Sequence, residues 1–172
     1  MILMYLDFKK YLEEIKPSLK DCLNCGGLAI SIEPSLHLTE EWLNTKESLH
    51  NEIFESNYIV GCHIHNLIMA IESDDAIGFI IKVDGKAIGT VDIEEVNNVV
   101  YLLNLGLVDE YRGKGLSKIL LTSCIEYVIN SHLNNYEGIY LTVNKDNVLA
   151  TNLYKSVGFV PKNCKKSWCV FH

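Results

Sequence analysis

Leu105-Gly106-Leu107-Val108-Asp109-Glu110-Tyr111-Arg112-Gly113-Lys114-Gly115-Leu116-Ser117 is the stretch on which the reading of this 172-residue chain turns. Its front end closes an apolar run, Val99 to Leu107, of strand length. Its back end opens an amphipathic run in which Leu116, Ile119, Leu120, Cys124, Tyr127 and Val128 recur at helical spacing. Between the two stands Arg112-Gly113-Lys114-Gly115. Paired glycines let the backbone turn tightly and approach a ligand closely. The helix that follows offers unpaired N–H groups and the positive end of its dipole. A strand, such a loop and a helix N-terminus together make an anion site, for which a pyrophosphate is the natural occupant. Arg112 and Lys114 add charge at its rim. The spacing is neither that of a Walker loop nor that of a Rossmann fingerprint. Taken alone, the same residues also describe an ordinary strand-to-helix turn.

Working outward, Ile77 to Val83, Asp84-Gly85 and Lys86 to Ile93 read as a β-hairpin, because Asp-Gly suits a type I′ turn in which both central residues need φ > 0. Asn97-Asn98 makes the next turn, so three strands form an antiparallel meander. Downstream, Gly138 precedes an apolar strand, Ile139 to Val143. Asn147 to Val157 reads as a helix with Gly158 as its C-cap, and Phe159-Val160 with Trp168 to Phe171 as a final strand pair. Upstream, Leu28 to Ile32 is a short strand. Thr39 is an N-cap for a helix towards Ser56, and Tyr58 to Glu72 is ambiguous between strand and helix, with helix favoured in its later half. From Asp7 to about Leu19, Phe8, Tyr11, Leu12, Ile15 and Leu19 mark a helix that Pro17 should end or kink. The order predicts an α+β fold bordering on α/β, with a mixed sheet.

Composition bounds the function. Apolar residues make up 48% and charged residues 22%, the balance of an ordinary globular domain, and the length favours a single one. We divide it into a helical N-terminal extension (1–26), a variable substrate-side region (27–75), a core (76–160) and a C-terminal strand (161–172). Fifteen Lys+Arg against 22 Asp+Glu give a net charge of −7, which argues against nucleic-acid binding and fits a cationic or amine substrate, or solubility alone. No apolar run approaches the roughly 18–20 residues of a membrane helix, so no membrane association is expected. Met1 to Leu6 is too short for a signal segment before Asp7 intervenes. A cytoplasmic protein with reduced cysteines is expected.

The glycine loop resembles the acetyl-CoA-binding motif of the GNAT N-acetyltransferase superfamily: an apolar strand end, a short acidic-aromatic turn, then Arg/Gln-x-x-Gly-x-Gly/Ala opening a helix. Asn147-Val148-Leu149-Ala150-Thr151-Asn152-Leu153-Tyr154-Lys155-Ser156-Val157-Gly158-Phe159 resembles the second signature of that family, an Asn and an Ala leading to a Tyr and then Gly-Phe. The resemblance runs from about Ile77 to Phe159. It implies a mixed, splayed central sheet flanked by helices, with acetyl-CoA as cosubstrate and no metal. The strand Val99 to Leu107 would part from Ile139 to Val143 at a bulge. Backbone groups of Leu105 and Leu107 would pair with the pantetheine amides, and those of Arg112, Gly113, Lys114, Gly115, Leu116 and Ser117 would cradle the pyrophosphate. Asn147 matches a residue that contacts the cofactor, and Tyr154 one whose hydroxyl faces the departing sulfur. The implied acceptor is a small amine or a peptide N-terminal amine, and a homodimer is possible.

Acetyl transfer to an amine needs a neutral amine, a polarised carbonyl, close approach and protonation of the thiolate. Tyr154 is the candidate acid. The base is a gap: Leu141-Thr142-Val143 and Tyr101, Leu103 and Asn104 offer no carboxylate where many relatives carry one. Asp92, Glu94 and Glu95, at the end of the preceding strand, could act through water. A catalytically weak acyl-CoA-binding module is the alternative this gap motivates. Cys22-x-x-Cys25 with Cys62-His63-x-His65 raises a zinc-stabilised interaction protein, against which the spacing argues. Cys164 and Cys169 complete the scattered thiols. His37 and His50 read as surface or satisfied core histidines, and Trp42 and Trp168 as packing residues.

Overall fold

The computed structural model describes residues 1–19, 27–36, 38–54, 57–131 and 135–162, and for 57–63 the backbone alone. The described residues form one seven-stranded sheet of order β2-β3-β4-β5-β6-β1-β7. Its strands are β1 (Ile2–Asp7), β2 (Ile30–Pro34), β3 (Ala76–Val83), β4 (Lys86–Val96), β5 (Val99–Leu107), β6 (Gly138–Val143) and β7 (Val160–Pro161). Its helices are α1 (Phe8–Lys10), α2 (Lys16–Leu19), α3 (Glu40–Phe54), α4 (Asn57–Glu72), α5 (Leu116–Asn130) and α6 (Val148–Ser156). Every strand pairing is antiparallel except β5 with β6.

The meander forms as its turns dictate. Asp84 and Gly85 sit at φ 50° and 82°, and Asn97 and Asn98 at 52° and 63°, the left-handed pairs that match the twist of a hairpin. Thr39 caps α3, its hydroxyl accepting from the Trp42 N–H at 3.1 Å. The ambiguous stretch after Tyr58 is helix throughout, as α4.

The N-terminus departs from the expected helical extension. Residues Ile2–Asp7 are a strand set inside the sheet, antiparallel to both β6 and β7. Met4 and Leu6 point into the core and are essentially unexposed. This is period-two burial over too few residues to advertise itself beside a helix. Helix begins only at Phe8, where the Asp7 carboxylate accepts from the Lys10 N–H at 2.8 Å. Pro17 does not end it. A π-helical segment, Tyr11–Ile15, loosens the turn ahead of the proline, the Lys16 N–H reaching the Tyr11 carbonyl. That widening accommodates a ring that would otherwise crowd the preceding turn. Tyr11 is fully buried there. Of the C-terminal strand expected over 161–172, Val160–Pro161 is strand and pairs with β1, and Trp168 to Phe171 lie outside the described residues.

Helix α3 covers one face of β4 and β5. On the other, Tyr127 of α5 meets Phe79 edge-on at 5.3 Å between centroids. The core runs through both layers, with Phe79, Ile88, Ile93, Leu120, Leu121 and Phe159 almost wholly buried.

Candidate active site

The parallel neighbours β5 and β6 share a single register pair, Tyr101 with Tyr140, and beyond it β5 leaves β6. The departure coincides with a bulge. Thr90 faces Gly106 and Asp92 faces Leu103, so two residues of β5, Asn104 and Leu105, stand against the single residue Val91. Asn104 lies at φ 51°, in the left-handed region that asparagine tolerates better than most side chains. The expected splayed strand is therefore present, and Leu105 sits in the bulge with its side chain half-buried.

Past Leu107 a short 3-10 turn, Asp109–Tyr111, leads to the glycine loop. Gly113 and Gly115 have φ 73° and 79°, and a Cβ on either would meet nothing within 4 Å. Glycine is thus required by backbone conformation, and the space beside it is open. Gly115 is the N-cap of α5 and no side chain caps that helix end, leaving the first-turn N–H groups around Leu116 and Ser117 directed out of the helix. Leu116 itself anchors the turn in the core, 1% exposed. Arg112 braces the loop: its Nε donates to the Leu107 carbonyl at 2.9 Å, and its guanidinium meets Asp109 at 2.7 Å. Of the Leu107 backbone groups, among those expected to pair with pantetheine, the carbonyl therefore already has one partner. The Lys114 ammonium lies 5.1 Å from the Tyr111 ring centroid, on an exposed side chain.

Asn147 is the N-cap of α6, accepting from the Ala150 N–H at 3.0 Å through its side-chain oxygen, which leaves its amide nitrogen for other partners. Tyr154 on the same helix is 7% exposed and meets Phe159 edge-on at 5.8 Å. Burial pushes its phenol up to a pKa of about 12, so it keeps its proton at any ordinary pH.

The proposed base residues separate. Asp92 is not at a strand end in contact with water. It lies inside β4, wholly buried, with Oδ1 2.5 Å from Lys46 Nζ. That carboxylate is also 3.6 Å from His50 Nε2 and accepts from Asn104 Nδ2 at 3.1 Å. Glu94 and Glu95 are half-buried towards the end of β4, and Glu95 hydrogen-bonds the Tyr136 phenol, which raises the pKa of that phenol. Lys46 went unnoticed in the sequence. Its signal is positional: with Trp42, Leu49 and His50 it falls on the buried stripe of α3. Trp42 is a packing residue, its ring against Gly78, and His50 is a core histidine.

Cross-strand register lines up Glu94, Tyr101, Tyr140 and Tyr5 on neighbouring strands. The tyrosine rings are 6.2 Å and 4.6 Å apart in sequence along that row, and the Lys162 ammonium lies 4.8 Å from the Tyr5 centroid. All four side chains are half-buried. Among the described residues no group of His, Cys, Asp and Glu could hold a metal ion, and no helix is long and apolar enough to cross a membrane. Cys22, Cys25, Cys164, Cys169, His37 and Trp168 lie outside the described residues, as do the side chains of Cys62 and His63. Cys124 is buried with its thiol pKa pushed up.

Comparison with known proteins bears on this arrangement. Residues 36–159 match the model of the acetyltransferase (GNAT) family. A Xenopus tropicalis N-acetylaspartate synthetase is 36% identical over 78 residues, covering 44% of this chain and 28% of that protein. The spermidine N(1)-acetyltransferase of Escherichia coli K12 is 32% identical over 83 residues, covering 47% of this chain and 44% of that protein. The chain thus spans less than half the length of these curated relatives. An aminoglycoside N-acetyltransferase solved in complex with CoA superposes with a TM-score of 0.64 at 18% identity, over 83% of this chain and 95% of that one, a likeness of fold. With a glycine loop opening α5, a sheet that parts beside it and a family match running through both, the chain belongs to the GNAT acetyltransferase family.

Proposed function

We propose that the protein transfers an acetyl group from acetyl-CoA to a primary amine by direct attack, with both substrates bound together. The observation that carries this reading is the parting of β5 from β6 at the Asn104–Leu105 bulge, one short turn before the glycine loop. A chain ending in a thioester and beginning at a pyrophosphate fits a strand gap that leads to a helix N-terminus. Acetyl-CoA when bound would supply the activated acyl group.

The residues then divide the work. Backbone N–H groups from Gly113 to Ser117 hold the pyrophosphate, and Arg112 fixes the loop that presents them. Leu105 and Leu107 address the pantetheine arm, and the Leu105 N–H polarises the thioester carbonyl where charge develops. Asn147 shapes the mouth of the gap as it caps α6. Tyr154 holds a proton that it can deliver to the leaving sulfur. Asp92 is locked in an ion pair, and Glu95 hydrogen-bonds the Tyr136 phenol. We assign acceptance of the amine proton, through water, to Glu94, which is half-buried and registered opposite Tyr101 on the row of rings.

The acceptor we favour is cationic. Tyrosine faces and a carboxylate attract ammonium groups, each ring contact contributing about 0.5–1 kcal/mol at exposed sites. The row from Glu94 through Tyr101 and Tyr140 to Tyr5 is built of those groups, and one ammonium, Lys162, already rests on its Tyr5 end. Relatives named for spermidine and aminoglycosides support the same class. A second reading, an acyl-CoA-binding module with little turnover, is favoured by the locked state of Asp92. Thiol release from acetyl-CoA, measured with spermidine, an aminoglycoside, aspartate and a peptide bearing a free N-terminus, separates the two. Turnover is expected with the cationic amines first. Tight acetyl-CoA binding without thiol release from any of them would favour the second reading.

A further inference from the structure

We infer that the buried Lys46–Asp92 pair is a positioning device that, through Asn104, sets the bulge of β5 from which Leu105 addresses the thioester carbonyl. The inference rests on the proposed function for what lies at the bulge. Its geometry stands independently.

Asn104 occupies a left-handed conformation inside a strand, which strains an ordinary L residue, and asparagine less. Something must hold it there, and its Nδ2 donates to Asp92 Oδ2 at 3.1 Å. Asp92 in turn has no freedom. Its other oxygen is 2.5 Å from Lys46 Nζ, and both side chains are completely unexposed. Lys46 is itself held from all sides, donating to the Phe79 carbonyl at 3.1 Å, to the Val91 carbonyl at 3.2 Å and to the Thr90 hydroxyl. His50, one helical turn further along α3, flanks the same carboxylate.

Stability gives a poor reason for this arrangement. A buried ion pair is commonly matched or bettered by apolar side chains of the same volume, because desolvation offsets the attraction. What apolar side chains could not supply is an oriented acceptor at the bulge. The pair converts the position of α3 into the position of one amide of β5. The same helix reinforces the contact two residues on, where a Cβ on Gly106 would collide with Ile53 and press against the Phe54 ring. Asp92 is thus a positioning residue and never meets the acceptor amine.

The test reads the thioester carbonyl directly, by infrared difference spectra of carbonyl-13C acetyl-CoA bound to the protein, with CoA affinity measured alongside. Asn104→Gly keeps the left-handed conformation available and removes the side chain that anchors to Asp92. Lys46→Met/Asp92→Leu removes the acceptor by another route, with Asn104 intact and both members of the ion pair removed together. In the wild type the carbonyl stretch is expected to move to lower frequency than in free acetyl-CoA. Each variant should lose at least half of that displacement while CoA affinity stays within a few-fold. Full displacement in either folded variant overturns the inference, and so does a wild-type complex with no displacement. If Asn104→Gly fails to fold, the double variant decides alone. A wild type that binds neither acetyl-CoA nor CoA overturns the proposed function itself, a different result from binding without displacement.

Discussion

Tyr101 of β5 and Tyr140 of β6 face each other, ring centroids 6.2 Å apart, at the single register pair that joins those parallel strands among the described residues. Everything the site offers follows from β5 turning away beyond that pair. The bulge, the gap and the glycine loop lie in succession along one strand and its exit.

The first expectation concerns the loop. At φ 79° Gly115 admits a β-branched residue only with strain of roughly 1–2 kcal/mol or more, although no neighbour blocks its Cβ. Gly115→Val should therefore yield a folded protein of slightly lower melting temperature whose helix N-terminus no longer presents its N–H groups correctly. Acetyl-CoA raises the melting temperature of the wild type by linkage, and the variant should show little or no rise. An undiminished rise would place the anion site elsewhere.

Tyr154→Phe keeps the ring and removes the hydroxyl. Turnover should fall by roughly 10²–10⁴-fold if that hydroxyl protonates the thiolate, with acetyl-CoA affinity changed only a few-fold. Near-normal turnover would assign the proton to water, and lost affinity would make Tyr154 a binding residue.

The same variant has a signature in alkali. The Tyr154 pKa is raised to about 12 by burial, against an unfolded value near 10, so between those values the unfolded chain has lost a proton that the folded chain keeps. Its contribution is fully present below about pH 10 and falls by roughly 1.4 kcal/mol per pH unit above that. Denaturant unfolding from about pH 9 to about pH 11 should show the wild type losing stability faster than Tyr154→Phe. Parallel curves would mean the phenol ionises as if exposed.

Lys46→Met alone strands the Asp92 carboxylate in the core and should cost about 3–5 kcal/mol, whereas Lys46→Met/Asp92→Leu should recover most of that loss. Equal destabilisation by the single and double variants, in equilibrium unfolding, would show that the pair contributes by packing and not by charge.

Deleting residues 1–7 removes a strand paired on both edges, together with the buried side chains of Met4 and Leu6. A terminal helix could be trimmed at modest cost, but loss of this strand opens the sheet between β6 and β7. The truncated protein should be insoluble or lack a cooperative unfolding transition. A truncated chain that still melts cooperatively near the wild-type temperature would contradict the pairing.

By itself the sequence determined what contiguous residues encode: the two left-handed turns of the meander, the strand Val99–Leu107, the glycine loop opening a helix at Leu116, and Asn147 and Gly158 bracketing α6. Each is a local demand of backbone conformation or side-chain period, and each is where it was read. Only the tertiary structure decided where the strands outside the meander pair and which charges are buried. Ile2–Asp7 is a short apolar run whose alternation shows only in its burial, so nothing within it states that it pairs with Gly138–Val143 on one side and Val160–Pro161 on the other. Asp92 has the composition of a solvated strand end, and Lys46 that of an exposed helical lysine. They become a core ion pair because α3 lays one across the other, and that contact exists only once the sheet has brought distant segments together. The row of Tyr101, Tyr140 and Tyr5 has the same origin: three residues from three remote stretches, aligned by hydrogen-bond register and by nothing in their own neighbourhoods.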